Sequence, residues 1–226
     1  MSLILNIDTA EERAHVSFAK DGSILDCIYN EAQKEHASFL QSAIRELTVS
    51  TGIKLSDIDA VAVTAGPGSY TGLRVGMASA KGLCYALKKP LITMNTLEVL
   101  ALSAIHLFPG TDESVLFCPM IDARRMEVFT AIYKNDLTIC LAPSAVILDE
   151  SSFAKDLLKN KIFFLGSGSE KWKSICSHAN AVFENVSILP EAIGKYSAKL
   201  YFQNHFTNLA YSEPFYLKEF QTVIKS

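Results

Sequence analysis

The chain has 226 residues and a formal net charge of −3; 49% of its residues are hydrophobic and 20% are charged. This describes a soluble globular chain long enough for one or two domains. It excludes a generally basic protein, so any nucleic-acid contact is local or shared with a partner.

Residues 3–7 form a short apolar run that ends in Asp8-Thr9-Ala10. Residues 14–19 and 24–29 read as two more strands. Asp21-Gly22 between them makes a hairpin turn, because glycine tolerates positive φ. The period then changes. Between about residues 32 and 50 the apolar positions include Ala37, Leu40, Ala43, Ile44 and Leu47, which is helical spacing, and Gly52 supplies the stop. Residues 59–65 are apolar on both faces and predict a strand inside a sheet. A glycine-rich turn follows, then a helix to about Leu87, a strand over 91–94 and a helix over 96–107. The order is β-β-β-α-β-α-β-α.

After Pro109-Gly110 the pattern begins again. Strands are predicted over 115–121, 127–133 and 137–141, with a turn at Asn135-Asp136. A short helix over 152–158 and a strand over 162–165 lead to the turn Gly166-Ser167-Gly168-Ser169. A helix over 170–178, a strand over 182–186 and a helix over about 191–205 complete the same order. Ile7-Asp8 and Ile121-Asp122 lie 114 residues apart, and so do Lys20-Asp21 and Lys134-Asn135 at the hairpin turns. The chain therefore reads as a duplication, with one lobe over 1–108 and a second, built on shorter helices, over 109–226. Phe215-Tyr216-Leu217 is a strand-like piece in the tail. The duplicated order resembles the α/β architecture of the actin, hexokinase and sugar-kinase superfamily: two tandem RNase H-like lobes, each with a mixed sheet. Fold alone assigns no function.

The five cysteines, at 27, 84, 118, 140 and 176, are odd in number and include no C-x-x-C pair. Reduced thiols in a cytoplasmic protein fit that count best. Asp8 interrupts the first apolar run, and no apolar stretch approaches the ~18 residues of a membrane helix. The chain is expected to be cytoplasmic and unanchored.

In that superfamily an acidic residue ends the first strand of each lobe, and a nucleotide lies between the lobes. Asp8 and Asp122 are thus the first candidates for holding Mg²⁺ and phosphate. The competing reading is that each carboxylate caps its own turn by accepting backbone N–H bonds. A nucleotide hairpin needs a small residue where phosphate meets backbone. Thr9-Ala10-Glu11-Glu12 follows Asp8 and Ala123-Arg124-Arg125 follows Asp122, with no glycine in either turn, and the two glutamates would repel phosphate. A two-metal nuclease on the same strand order is also incomplete, because the fourth strand ends in Thr64-Ala65-Gly66 without a carboxylate. The histidines at 15, 36, 106, 178 and 205 include no pair three to five apart. No helical metal site is predicted, and His36 reads as a polar residue at a helix edge.

The stretch over 64–76 holds four of the eleven glycines. A buried strand ending in a glycine-rich turn that opens a helix is a place to hold an anionic ligand, or simply a tight connection. Beyond the turn, Gly72, Gly76 and Ala80 recur every fourth residue, and Val75, Ser79, Gly82 and Ala86 form a second strip of small residues. Helical glycines cost ~0.5–1 kcal/mol each relative to alanine, so a close approach should offset them. The chain's own sheet can account for the first strip. A helix usually buries one stripe, so two strips favour a helix-to-helix interface with another subunit.

Gly66-Pro67-Gly68-Ser69-Tyr70-Thr71-Gly72-Leu73-Arg74-Val75-Gly76 resembles the signature G-P-G-S-[FY]-T-G-[LI]-R-[IV]-G of the TsaB (YeaZ) family. The likeness continues in Ile7-Asp8-Thr9-Ala10, in His36 and the helix after it, in Lys81-Gly82, in Ile121-Asp122-Ala123-Arg124-Arg125 and in Pro214-Phe215-Tyr216-Leu217. It departs at Thr64-Ala65, where the family often has a glycine or arginine. The resemblance implies a non-catalytic subunit of the bacterial machinery that makes threonylcarbamoyladenosine in tRNA, at the adenosine beside the anticodon. It implies docking on a catalytic sibling of the same fold, TsaD, with an ATPase, TsaE, on the pair and tRNA reached through the complex. It also allows a homodimer of the free chain. The implied interface lies on the first lobe's two long helices, which here carry His36, Leu40, Gly72, Val75, Gly76, Ser79, Gly82 and Ala86. Asp8, Gly66, Gly68, Asp122 and Arg124 would outline a degenerate nucleotide cleft with no catalytic or metal-binding residue. No cofactor of the chain's own is expected, and a nucleotide at the subunit boundary is left open. The alternatives are an ATP-dependent small-molecule kinase of the same superfamily, and a self-associating protein with no transferase partner.

Overall fold

The computed structural model describes residues 1–30 and 36–218. The first half contains β1 (Leu3–Asp8), β2 (Ala14–Lys20), β3 (Ser23–Asn30), α1 (His36–Thr51), β4 (Ala60–Gly66), α2 (Tyr70–Leu87), β5 (Leu91–Asn95) and α3 (Thr96–Leu107). Its sheet order is β3-β2-β1-β4-β5. The first three strands form an antiparallel meander with short connections, residues 9–13 between β1 and β2 and the two-residue turn Asp21-Gly22, both at positive φ, between β2 and β3. The last two strands run parallel to β1, which requires the crossovers through α1 and α2.

The second half repeats the scheme with β6 (Leu116–Asp122), β7 (Glu127–Tyr133), β8 (Ile139–Ile147), α4 (Ala154–Leu157), β9 (Ile162–Leu165), α5 (Ser169–Lys173), β10 (Ala181–Glu184) and α6 (Pro190–Phe202). The sheet order β10-β9-β6-β7-β8 is that of the first sheet read from the other edge, so both lobes have the expected RNase H-like topology.

The helices divide into three layers. On one face of the first sheet, Leu40, Ala43, Ile44 and Leu47 of α1 and Met77, Ala80 and Cys84 of α2 pack on Leu5, Ile7, Val61 and Val63. On the outer face of the second sheet, Leu157 of α4 and Trp172 of α5 pack with Cys118, Met120 and Phe164. Between the sheets lie α3 and α6. Leu97, Leu100 and Ala104 of α3 and Ile193, Ala198 and Leu200 of α6 share a single core with Ile4, Ala62 and Ile92 from the first sheet and Phe117, Ile121 and Ala131 from the second. The last helix of the chain thus covers the first sheet, and Gly194 is small because Ile24, Gly22 and Ala19 of the β2–β3 hairpin press against it.

Local signals set the helix ends. Ser69 Oγ accepts the Gly72 N–H at the start of α2, and Lys88 turns left-handed to close its end. Asn95 caps α3 through Leu97 N, and Pro190 opens α6.

Three predicted elements differ, and part of a fourth is not described. The helix after the second glycine turn spans only Ser169–Lys173. Strand β8 starts at Ile139 and runs to Ile147, because Leu137 is left-handed and its N–H closes a turn on Lys134 O. Residues 215–217 form no strand, although Phe215 N donates to Ala65 O at 2.6 Å. Residues 32–35 of the first predicted helix lie outside the described residues.

Candidate functional site

Strand β4 is buried along its whole length and delivers the chain to the glycine turn. Gly66 (φ +116°) and Gly68 (φ +159°) adopt backbone that L residues avoid. Both are pressed against the chain itself. A Cβ on Gly66 would lie 2.5 Å from the Phe215 carbonyl oxygen, and one on Gly68 would overlap the Ala10 carbonyl. The Ser69 N–H, which a phosphate would seek, donates to Ala10 O at 2.7 Å. The turn is therefore fastened between the β1–β2 connection and the C-terminal segment. Gly66 and Gly68, expected to outline a nucleotide cleft, are filled from both sides by Ala10 and Phe215.

The two strand-end carboxylates cap their own turns. Asp8 is 1% exposed; its Oδ1 accepts from Thr64 Oγ1 at 2.6 Å and from Ala10 N at 3.1 Å. His15 Nδ1 stands 3.6 Å from Asp8 Oδ2, and burial holds the imidazole below its ordinary pKa. Asp122 is open to solvent. Its Oδ1 accepts the Arg124 N–H at 2.5 Å and pairs with Lys171 Nζ at 2.9 Å. Arg124 and Arg125 are exposed, both at left-handed φ, and Lys171 also donates to Arg125 O and Glu127 O. Among the described residues no group of three or more His, Cys, Asp or Glu side chains is placed to hold a metal. All five cysteines are unpaired.

Across the mouth of the cleft runs a contact absent from the sequence reading. Ser167, in the second glycine turn, donates to Glu11 Oε1 of the β1–β2 connection at 2.6 Å, and its Oγ accepts the Asp122 N–H at 3.2 Å. Loss of hydration lifts the Glu11 pKa to about 7; the Ser167 bond opposes that rise and the nearby Asp8 charge adds to it. The pair ties the β1–β2 connection of the first lobe to the second glycine turn of the second. In the sequence Glu11 read only as a charge that would repel phosphate, and nothing in its neighbours pointed to Ser167, 156 positions away.

The two long helices of the first lobe sort their residues by face. Gly72 and Gly76 are buried and meet Thr9: added Cβ atoms would overlap Thr9 O and Thr9 Oγ1. Thr9 Oγ1 also donates to Gly72 O at 2.8 Å. Leu40 is 0% exposed in the core of the first sheet. Leu40, Gly72 and Gly76, expected on a subunit interface, thus face the chain's own sheet, because the end of β1 needs backbone-close passage beside α2. Of the second strip, Val75 and Ser79 are half-buried while Gly82 and Ala86 are exposed, beside Tyr85 at 81% exposure. A Cβ on Gly82 would meet nothing within 4 Å. His36 opens α1, but its side chain lies outside the described residues.

The C-terminal segment flanks α2. Lys81 Nζ donates to Ala210 O and Ser212 O at 3.3 and 2.9 Å, and Arg74 Nε donates to the Tyr216 hydroxyl at 3.2 Å. Arg74 also lies over the Tyr70 ring, and Lys218 reaches Glu127 in the second lobe.

This geometry matches known proteins over most of the chain. A family model described as "TsaD: tRNA N6-adenosine threonylcarbamoyltransferase" matches residues 28–202. The tRNA threonylcarbamoyladenosine biosynthesis protein TsaB of Bacillus subtilis is 30% identical over 180 residues, covering 76% of this chain and 74% of that one. The chain belongs to the TsaB (YeaZ) family. The Escherichia coli TsaB is 26% identical over 222 residues, 95% of this chain and 94% of its own length. The solved structure of YeaZ from Pseudomonas aeruginosa superposes with a TM-score of 0.76 at 26% identity, over 96% of this chain and 100% of that one. In this TsaB-family chain the glycine signature is thus a structural knot. Its carbonyls, N–H groups and missing Cβ atoms are spent on Thr9, Ala10 and Phe215. Among the described residues, no helix is long and apolar enough to cross a membrane.

Proposed function

We propose that this TsaB-family chain is a non-catalytic scaffold subunit in cytoplasmic tRNA threonylcarbamoyladenosine biosynthesis. It supports a TsaD-type transferase, and with it a TsaE-type ATPase, in adding threonylcarbamoyl to N6 of the adenosine beside the anticodon. The tRNA is reached through the complex. The observation that carries this reading is the filled glycine turn: Phe215 and Ala10 press on Gly66 and Gly68, the Ser69 N–H is taken by Ala10 O, and Ser167 binds Glu11 across the lobes, which leaves the turn's backbone little to offer a phosphate. The same observation counts against the kinase alternative. The exposed, small-residue side of α2 at Gly82 and Ala86, with Val75 and Ser79 half-exposed beside it, supports a face onto which another helix packs closely. A nucleotide at the subunit boundary would need a surface completed by the partner.

The test is reconstitution. Purified chain mixed with tRNA and threonylcarbamoyl-adenylate transfers nothing by itself and restores transfer when its TsaD-type sibling is added. Transfer by the chain alone overturns the scaffold reading, and micromolar Mg-ATP binding by the isolated chain in calorimetry would restore the kinase.

A further inference from the structure

The strands that carry Asp8 and His15 carry a second polar pair. In the antiparallel register of β1 and β2, Asn6 lies opposite Ser17 and Asp8 opposite His15. Strand alternation puts all four on one face with Ile4 and Ala19. Ile4 belongs to the core that contains Ile193 and Ala198 of α6, so this face lies beneath α6. Asn6 and Ser17 are fully buried and His15 is 1% exposed.

Asp8 has its partners, and His15 Nδ1 faces its carboxylate, but several polar atoms beside them have none. Among the described residues, Asn6 Nδ2, Asn6 Oδ1, Ser17 Oγ and His15 Nε2 are buried without a protein hydrogen-bond partner. An unmade bond of this kind costs about 1–3 kcal/mol, and buried polar groups nearly always find protein or ordered water. Four such atoms on three side chains of one sheet face are too many to leave unmet.

We propose that this face is a binding site for internal water, with at least one ordered molecule bridging Asn6 and Ser17 and a hydrogen bond from water to His15 Nε2. The donor set selects the ligand. Asn6 Nδ2 and the Ser17 hydroxyl offer hydrogens, while Asn6 Oδ1, Ser17 Oγ and His15 Nε2 offer lone pairs. The Nε2 lone pair follows from the neighbouring carboxylate, which draws the single proton of a neutral ring to Nδ1. An anion would meet the Asp8 charge. A cation would meet the Asn6 amide hydrogens, and the one carboxylate nearby, Asp8, is already engaged by Thr64, Ala10 N and His15. Water both donates and accepts, and it typically makes about three such bonds when buried. This inference is independent of the scaffold reading, since it concerns how α6 of the second half seats on the first sheet.

Water magnetic relaxation dispersion counts molecules held longer than the protein's tumbling time. The full chain is compared with Asn6→Val/Ser17→Ala, with circular dichroism to confirm folding. The expected result is the loss of at least one long-lived water in the double variant. An unchanged dispersion amplitude in the folded variant overturns the proposal. Should the variant not fold, a high-resolution crystal structure of the unaltered chain decides. Density bonded to both Asn6 and Ser17 supports the site. A direct Asn6–Ser17 bond with nothing between them, or an ion at metal-ligand distances, overturns it.

Discussion

Replacing Gly72 by alanine isolates the cause of the helical glycines. In open helix the change stabilises by ~0.5–1 kcal/mol, because alanine has the better propensity. At Gly72 the new methyl overlaps the Thr9 carbonyl oxygen, a backbone atom at the end of β1 that cannot rotate away. Overpacking of this kind costs about 1–3 kcal/mol. The shift also breaks the Thr9 Oγ1–Gly72 O bond of 2.8 Å, which contributes about 1 kcal/mol. The balance is a destabilisation of about 1–3 kcal/mol. Gly82, on the same helix, has nothing within 4 Å of an added Cβ, so Gly82→Ala stabilises by ~0.5–1 kcal/mol. Urea unfolding of the isolated chain reads both: the midpoints move in opposite directions at constant slope. If Gly72→Ala is as stable as the unaltered chain, or if Gly82→Ala loses stability, the assignment of the two faces of α2 is wrong. Association separates them further. Gly82→Leu weakens binding to the transferase sibling while the free chain stays folded.

Glu11 gives a pH dependence with a definite sign. Its pKa is lifted from 4.5 to about 7, so between those values the folded chain holds a proton that the unfolded chain has released. Stability therefore falls as pH rises through that window, by at most about 3 kcal/mol and less once solvent screening of this half-buried group is allowed for. Glu11→Gln flattens the difference between urea midpoints at pH 5 and pH 8; an equal difference in both proteins refutes the latch. Trp172 stacks edge-on to Phe164 at 4.5 Å and Phe153 at 5.1 Å, and its indole N–H donates to Asp149 O. Trp172→Ala should cost about 3–5 kcal/mol by calorimetry, and a loss below 1 kcal/mol would mean the outer core of the second lobe is not built on it. Lys81→Met removes both bonds to the tail carbonyls, so hydrogen exchange at Phe215 N quickens while α2 amides are unaffected. Unchanged exchange there would show that the tail is held elsewhere.

The order of elements was legible in the residues because it is carried by local periods. Residues 96–107 repeat apolar positions three and four apart as a helix must, 59–65 are apolar on both faces as a central strand must be, and Asp21-Gly22 favours a tight turn. The duplication followed from the same patterns set 114 residues apart. The signature over 66–76 carries the likeness to the TsaB family by itself. Spacing also showed that something comes close to α2 at Gly72 and Gly76, yet a missing Cβ does not name its neighbour. Only the tertiary structure showed that the neighbour is Thr9, that Leu40 turns inward, and that α3 and α6 share one core between the sheets. It alone joined Glu11 to Ser167 and laid Phe215 on the glycine turn. These contacts link residues tens to more than a hundred positions apart. Such pairings are fixed by how sheets and helices stack, and no window of sequence contains them. The glycine stretch shows the division most plainly: its residues dictate a sharp turn into a thin helix, and the fold decides what fills the space they leave.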